Sequence, residues 1–287
     1  SHPRELIAQA KQLGYHALAI TDEATVSGSV KAHLAAKELK LKLIHGSQFW
    51  VSFSLSKKLV RFVILVKNKK GWEQLCQLIS ISRQHSSKGS YNLTNGDLEN
   101  LSFTNCFLIY IPNTLEDKQV VIEISQWLKT YFFDNSFIGC TLLLNSSDYK
   151  WQRDICQIGK SYDLDVLATN DVLMHKRSSK RLLDVLESIR LNTPLKNCGY
   201  KLTKNSERYL RKKSKIEKIF FKDLINNTIK VSHRCDFSLD EINYEYPKEV
   251  IPNNLSAKKW LGYLVRKGIK KRQEEKKDIT IIKEETI

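Results

Sequence analysis

Methionine is all but absent: Met174 is the only one in 287 residues. The chain does not open on an initiator, and it starts inside a helix signal, "SHPREL", with Ser1 in reach of a cap position and Pro3 in a first turn. It is expected to be a piece of a longer chain. Long apolar runs are missing too, none approaching the roughly 18 residues of a membrane span. The first residues lack the basic-then-apolar order of a secretory signal. A cytoplasmic protein with no membrane contact is expected. The six cysteines form no CxxC pair and no Cys/His cluster at zinc spacing, which points to reduced thiols. Neither GxGxxG nor GxxxxGKS/T occurs, so no recognised loop cradles a nucleotide phosphate. Acids are in deficit, 31 against 47 lysines and arginines, for a formal charge of +16. That surplus favours nucleic acid or another polyanion as partner; the plainer alternative is a lysine-rich surface that only aids solubility.

What the chain does have is alternation. With 41% hydrophobic and 27% charged residues it is globular in composition, long enough for one large domain or two ordinary ones. Residues 3–13 have helical spacing, with Leu6, Ile7, Ala10 and Leu13 on one face. Residues 15–21 form a short apolar strand, and 28–39 return to helix. "LIHGSQFWVSF" and "LVRFVILV" read as neighbouring strands joined by the polar turn "SLSKK". Then come helix "GWEQLCQLISIS", strand "CFLIYI" stopped by Pro112, helix 117–132, strand "FIGCTLLL", helix 147–162 and a last buried strand, "DVLAT". Such a pattern predicts an α/β fold with a largely parallel sheet, as a barrel or a doubly wound sheet.

After about residue 176 helices dominate. "KRSSKRLLDVLESIRL" is amphipathic. Leu182, Leu183, Leu186 and Ile189 share a face expected to meet the core, while Arg181, Asp184, Glu187 and Arg190 supply local pairs. From Lys196 to Lys230 there are eleven basic residues against three acids. Within "NSERYLRKKSKIEKIFFKD", Arg208, Arg211, Lys212, Lys213, Lys215 and Lys218 outnumber Glu207 and Glu217, with Tyr209 and Phe220 interleaved. Two readings stand: a surface that touches nucleic-acid phosphates, or a solvated helical face. "YEYPKEVIP" reads as an extended linker, and residues 256–273 as a basic helix capped by Ser256.

The run Ala17–Ile20 stops at Thr21 and is followed at once by Asp22 and Glu23. Carboxylates at a strand end can cap a helix, pair on the surface or bind a metal.

Four stretches then occur in order: "SHPRELIAQAKQLGYHALAITDE", "AHLAAKELKLKLIHGSQF", "ATNDVLMHKRSSKRLLDVLESIRLNTPL" and "SHRCDFSLDEINYEYPKEVIP". Together they resemble the N-terminal region of bacterial C-family DNA polymerases. The nearer branch is the error-prone, alpha-subunit-like one used in damage-induced synthesis, a preference carried by "TDE", "KRSSKRLLDVLESIRL" and "SLDEINYEYP". The resemblance covers nearly the whole chain. It implies a polymerase-and-histidinol-phosphatase (PHP) domain, a distorted barrel of seven β/α units with metal ligands gathered at the strand ends. On that reading 1–176 is the PHP core without its first motif, 177–243 its basic helical remainder, and 244–287 the linker and truncated approach to the polymerase palm.

The resemblance also implies where ligands belong. The family's Thr-Asp-His stands here as Thr21-Asp22-Glu23, so Asp22 matches and Glu23 replaces a histidine. Gly-x-Glu stands as Gly46-Ser47-Gln48, a neutral amide for a carboxylate. Asp-x-His keeps Asp171 but has Leu173, which cannot coordinate; His175, two residues on, matches a second histidine of the error-prone branch or turns inward as a substitute ligand, so the vestigial set is Asp22, Glu23, Asp171 and His175. The family's His-x-His would precede Ser1. A vestigial site is expected, with Zn2+ or Mn2+ lost, and with Asp22 and Glu23 kept as polar groups near a helix start. His45 lies beside this site but is expected to be no ligand. The parent implied is a DNA-directed DNA polymerase whose palm carboxylates hold two Mg2+ ions. No closely spaced aspartates of that kind occur here, so this stretch is not expected to be catalytic. The implied partners are DNA and, through the missing part, damage-response replication proteins and the sliding clamp. The alternatives are a metal-dependent phosphoesterase or 3′–5′ exonuclease of PHP type, and a truncated relic.

Overall fold

The computed structural model describes all residues except 54–57, 85, 102, 114–117, 244–250, 253–254 and 285–287, with backbone alone over 275–284. Most of the expected linker "YEYPKEVIP" thus lies outside the described residues. Six strands follow the apolar runs: β1 Ala17–Glu23, β2 Lys42–Ser52, β3 Leu59–Val66, β4 Cys106–Tyr110, β5 Ser136–Thr141 and β6 Val166–Thr169. They pair in chain order as one curled half-barrel. β1/β2, β4/β5 and β5/β6 are parallel, while β3 runs antiparallel to both β2 and β4. Only six residues separate β2 from β3, and only an antiparallel partner can be reached through so few; the expected turn "SLSKK" lies mostly outside the described residues. β2 is pressed against β3 at Gly46, where a Cβ would stand 2.4 Å from the Ile64 carbonyl oxygen.

Helices fill the connections: α1 Pro3–Gln12, α2 Ser29–Leu39, α3 Lys69–Gln84, α4 Asn95–Asn100, α5 Lys118–Phe132 and α6 Asp148–Tyr162. β4 and β5 are buried at every position, so both faces of the sheet are covered. Alternate strand residues enter separate cores. Phe49, Phe62, Ile64, Leu108 and Ile138 meet Leu75 and Leu78 of α3, Ile124 and Leu128 of α5 and Ile155 of α6. Leu65, Phe107, Ile109, Phe137 and Leu167 form the other core. Each such side chain, fully buried, contributes roughly 1.5–3 kcal/mol. A third cluster seats Ile7 and Ala10 of α1 against Ala32 and Ala36 of α2, with Ile20 and Leu210.

The basic remainder adds α7 Lys180–Arg190, α8 Lys213–Ile219 and α9 Lys222–His233. Phe220 and Leu224 enter the first core and Val231 the second, so this segment is packed onto the same sheet. Phe220 is therefore a core residue and not a surface aromatic among the lysines.

α7 departs from expectation. None of its residues is buried, and Leu182, Leu186 and Ile189 are 59%, 51% and 68% exposed. Amphipathic spacing fixes that an apolar face exists, but not that anything covers it. Asp184 pairs with Lys180 rather than Arg181, at 2.6 Å, and Glu187 pairs with Arg190.

The chain divides into Ser1–Ile242 and Asn243–Ile287. The second unit is built on α10, Ala257–Glu284, where Ser256 Oγ accepts from the Lys259 N–H at 3.4 Å. No helix among the described residues is long and apolar enough to cross a membrane.

Candidate metal centre at the strand ends

The carboxyl end of β1 lies beside the middle of β2, Asp22 opposite Ser47 and Glu23 opposite Gln48. Asp22 Oδ2 accepts the Gly28 N–H at 2.9 Å, and Gly28 is the cap residue of α2. The carboxylate thus faces backbone donors and the positive end of a helix dipole. Ser47 Oγ donates to the Asp22 carbonyl at 2.7 Å. Glu23 Oε1 accepts from Tyr91 Oη at 2.8 Å, and Tyr91 Oη accepts the Trp50 N–H at 3.0 Å. Burial raises the Tyr91 phenol well above its usual pKa, so it remains the donor.

Asp171 follows β6 in a left-handed conformation, φ 43°, which aspartate tolerates better than most residues. Its Oδ2 accepts from Arg61 Nη1 of β3 at 2.9 Å and from Arg208 Nη2, while Arg208 Nε donates to the Asp171 carbonyl at 3.2 Å. All three side chains are mostly buried, at 16%, 15% and 22% exposure for Arg61, Asp171 and Arg208. Burial lowers the Arg208 guanidinium to about 10, with the neighbouring Arg61 charge adding to it. Burial lowers Arg61 as well, opposed by the charge of Glu23. Both guanidiniums still carry their charge at neutral pH.

Beyond Asp171 the backbone pairs with the basic segment, the Leu173 N–H reaching the Arg208 carbonyl at 2.9 Å. His175 meets the start of the chain, its Nδ1 2.8 Å from Ser1 Oγ and 3.6 Å from Glu5 Oε2. His45 is 1% exposed within β2 and packs edge-on against Trp72 and Phe237.

Among the described residues no three His, Cys, Asp or Glu side chains are grouped to hold a metal ion. The donor set does not fit a cation cluster. Asp171 already serves two guanidiniums, against which a divalent ion would be repelled. Gln48 is neutral, and Leu173 offers no donor atom.

Arg61 escaped the sequence reading, although it left a signal: one charge inside the apolar strand "LVRFVILV" has to find a partner. The basic set expected to contact phosphates is divided. Arg211 is 0% exposed, with Nη2 on the Leu142 carbonyl at 2.9 Å, and so cannot reach a nucleic acid. The adjacent Leu210 is buried too, in the cluster with Ile7 and Ala10. Arg208 is committed to Asp171, and Lys215 donates to Glu207 at 2.8 Å. Lys212, Lys213 and Lys218 are exposed.

Residues 1–136 match the PHP domain family. An error-prone DNA polymerase of Methylococcus capsulatus is 38% identical over 95% of this chain and 25% of its own length. Another, of Ralstonia nicotianae, is 36% identical over 92% of this chain and 26% of its own. Among solved structures an amidohydrolase of Chromobacterium violaceum aligns with a TM-score of 0.45 at 12% identity, over 58% of this chain and 80% of that one. The chain spans about a quarter of the length of the curated relatives it matches. With the half-barrel and its acids in view, the family match places residues 1–136 in the PHP domain family, within a chain homologous along nearly its whole length to error-prone DNA polymerases.

Proposed function

We propose that the chain serves as the non-hydrolytic PHP region of an error-prone DNA polymerase, a parent enzyme that extends DNA with a palm lying outside these residues. The observation that carries the reading is the Arg61–Asp171–Arg208 cluster. Guanidiniums occupy the carboxylate that hydrolysis would need for an ion. Polarising a phosphoryl group and generating hydroxide both require that ion. The domain's role is then structural: it joins β3, the end of β6 and the basic segment into one body beside the DNA path. DNA is the partner of the parent. Contacts to damage-response proteins and to a sliding clamp belong to the parts beyond this chain.

Two measurements test this. The complete reading frame containing these residues is expected to extend a primed template in Mg2+, and failure to extend would remove the polymerase assignment. The chain itself is expected to leave a nitrophenyl phosphate ester intact at millimolar Mn2+. Turnover that disappears in both Asp22→Ala and Asp171→Ala would establish a working phosphoesterase instead.

A further inference from the structure

A concavity of about 380 Å³ lies among α1, the segment after β6 and α8. Three parts of the chain remote in sequence build it, through Gln9 and Leu13, His175 to Arg177, and Tyr209 to Lys218. Five cationic side chains line it, Lys176, Arg177, Lys212, Lys215 and Lys218, and no acid does. The nearby carboxylate of Glu207 is buried and already shared: Lys215 at 2.8 Å, Arg211 at 3.4 Å and Arg177 at 3.6 Å. Among the described residues, Lys176, Lys212 and Lys218 have no anionic partner. Lysines converging on a concave surface without counter-charge hold a high positive potential, which a phosphate relieves. Tyr209, with Lys215 Nζ 5.3 Å from its ring centroid, adds an aromatic of the kind on which bases stack.

We propose that this cleft seats the phosphates of a single DNA strand, held by Lys176, Lys212 and Lys218 with Arg177 and Lys215 at its wall. The anion chemistry stands on the residues alone; the choice of DNA rests on the polymerase reading.

The test is anisotropy of a labelled fifteen-residue oligo-dT with the full chain and two charge-matched variants. One carries Lys212→Glu and Lys218→Glu. The other carries Lys150→Glu and Lys160→Glu on α6, outside the cleft. The cleft variant is expected to weaken binding at least tenfold and to flatten the slope of log K against log salt by about 1.4, two phosphates at roughly 0.7 each. The α6 variant is expected to weaken it less than threefold. Lys212→Gln with Lys218→Gln, a gentler pair, should shift affinity in the same direction. Equal weakening by the cleft and α6 variants, or no binding by the unaltered chain, overturns the proposal. So does complete displacement of the oligonucleotide by inorganic phosphate below about 1 mM, which would make the cleft a small-anion site. Primer extension by the complete reading frame is followed in parallel. Extension that persists while the two Glu variants bind alike removes the cleft and leaves the polymerase reading standing.

Discussion

Arg61 Nη1 and Asp171 Oδ2 stand 2.9 Å apart, joining the third strand to the turn after the sixth. Because Arg208 shares the same carboxylate, removing Asp171 strands two mostly buried cations. Asp171→Ala is expected to cost about 3 kcal/mol in urea unfolding, as for a broken buried ion pair. Adding Arg61→Met and Arg208→Met to it should recover most of that loss, since an apolar replacement of the whole cluster leaves no orphaned charge. A triple variant no more stable than Asp171→Ala would show that the carboxylate does not act through the two arginines.

Chelation gives a complementary expectation. Metal that binds only the folded state raises its melting temperature. Dialysis against EDTA should leave the melting temperature of this chain unchanged, and added Zn2+ or Mn2+ should not raise it. A rise of several degrees with either ion would place a metal in the fold.

His45 makes stability depend on acidity. Burial lowers its pKa to about 4, with the charge of nearby His33 adding to the shift, and its ring packs on Trp72 and Phe237. In the unfolded chain a histidine titrates near 6.5. Between those values the unfolded state binds the extra proton, so stability is full above about pH 6.5 and falls as pH drops towards 4. The loss is on the order of 3 kcal/mol across that window. Between pH 7 and pH 5 the urea midpoint of the unaltered chain should fall, while that of His45→Leu should fall much less. Parallel shifts in both would assign the acid sensitivity elsewhere.

Gly46 admits no side chain cheaply. The nearest atom to an added Cβ is the Ile64 carbonyl oxygen, part of the antiparallel ladder, and Leu65 Cδ2 follows at 2.9 Å. Gly46→Ala is expected to destabilise by about 1–3 kcal/mol, the range for overpacking, measurable by thermal unfolding. An unchanged midpoint would mean that β2 and β3 can part without penalty.

The exposed face of α7 predicts small effects where a core helix would give large ones. Leu186→Ala and Ile189→Ala should each cost under about 0.5 kcal/mol in this chain, as surface changes do. A buried leucine or isoleucine would cost about 2–5 kcal/mol. A loss in that larger range would mean that the face is covered in solution.

Much of this was legible in the sequence because apolar runs between polar breaks mark buried strands whatever they pack on. The six strands and most helices between them fall within a residue or two of the expected positions; β5 stops three residues earlier than expected, and α4 was not foreseen. The short polar segment after β2 foretold that β2 and β3 are neighbours. The misreadings have a common physical origin: a segment's pattern says what a side chain prefers, while its partner comes from elsewhere in the fold. The stripe of α7 looked like a core face, yet Leu182, Leu186 and Ile189 stay exposed among the described residues. Arg211 looked like one more surface cation, yet it is buried with Leu210 beside it. Arg208 and Arg61 find Asp171 across 37 and 110 residues, distances over which local spacing carries no information.

The arginine cluster changes what the strand ends require of their surroundings. A metal centre has to be supplied and loaded, can be filled with the wrong ion, and empties when the ion is scarce. Here the counter-cations are part of the polypeptide, so charge neutrality at Asp171 arrives with folding itself. On the proposed non-hydrolytic reading, this corner of the domain is complete as soon as β3, the end of β6 and the basic segment have met, with no ion called for at Asp171.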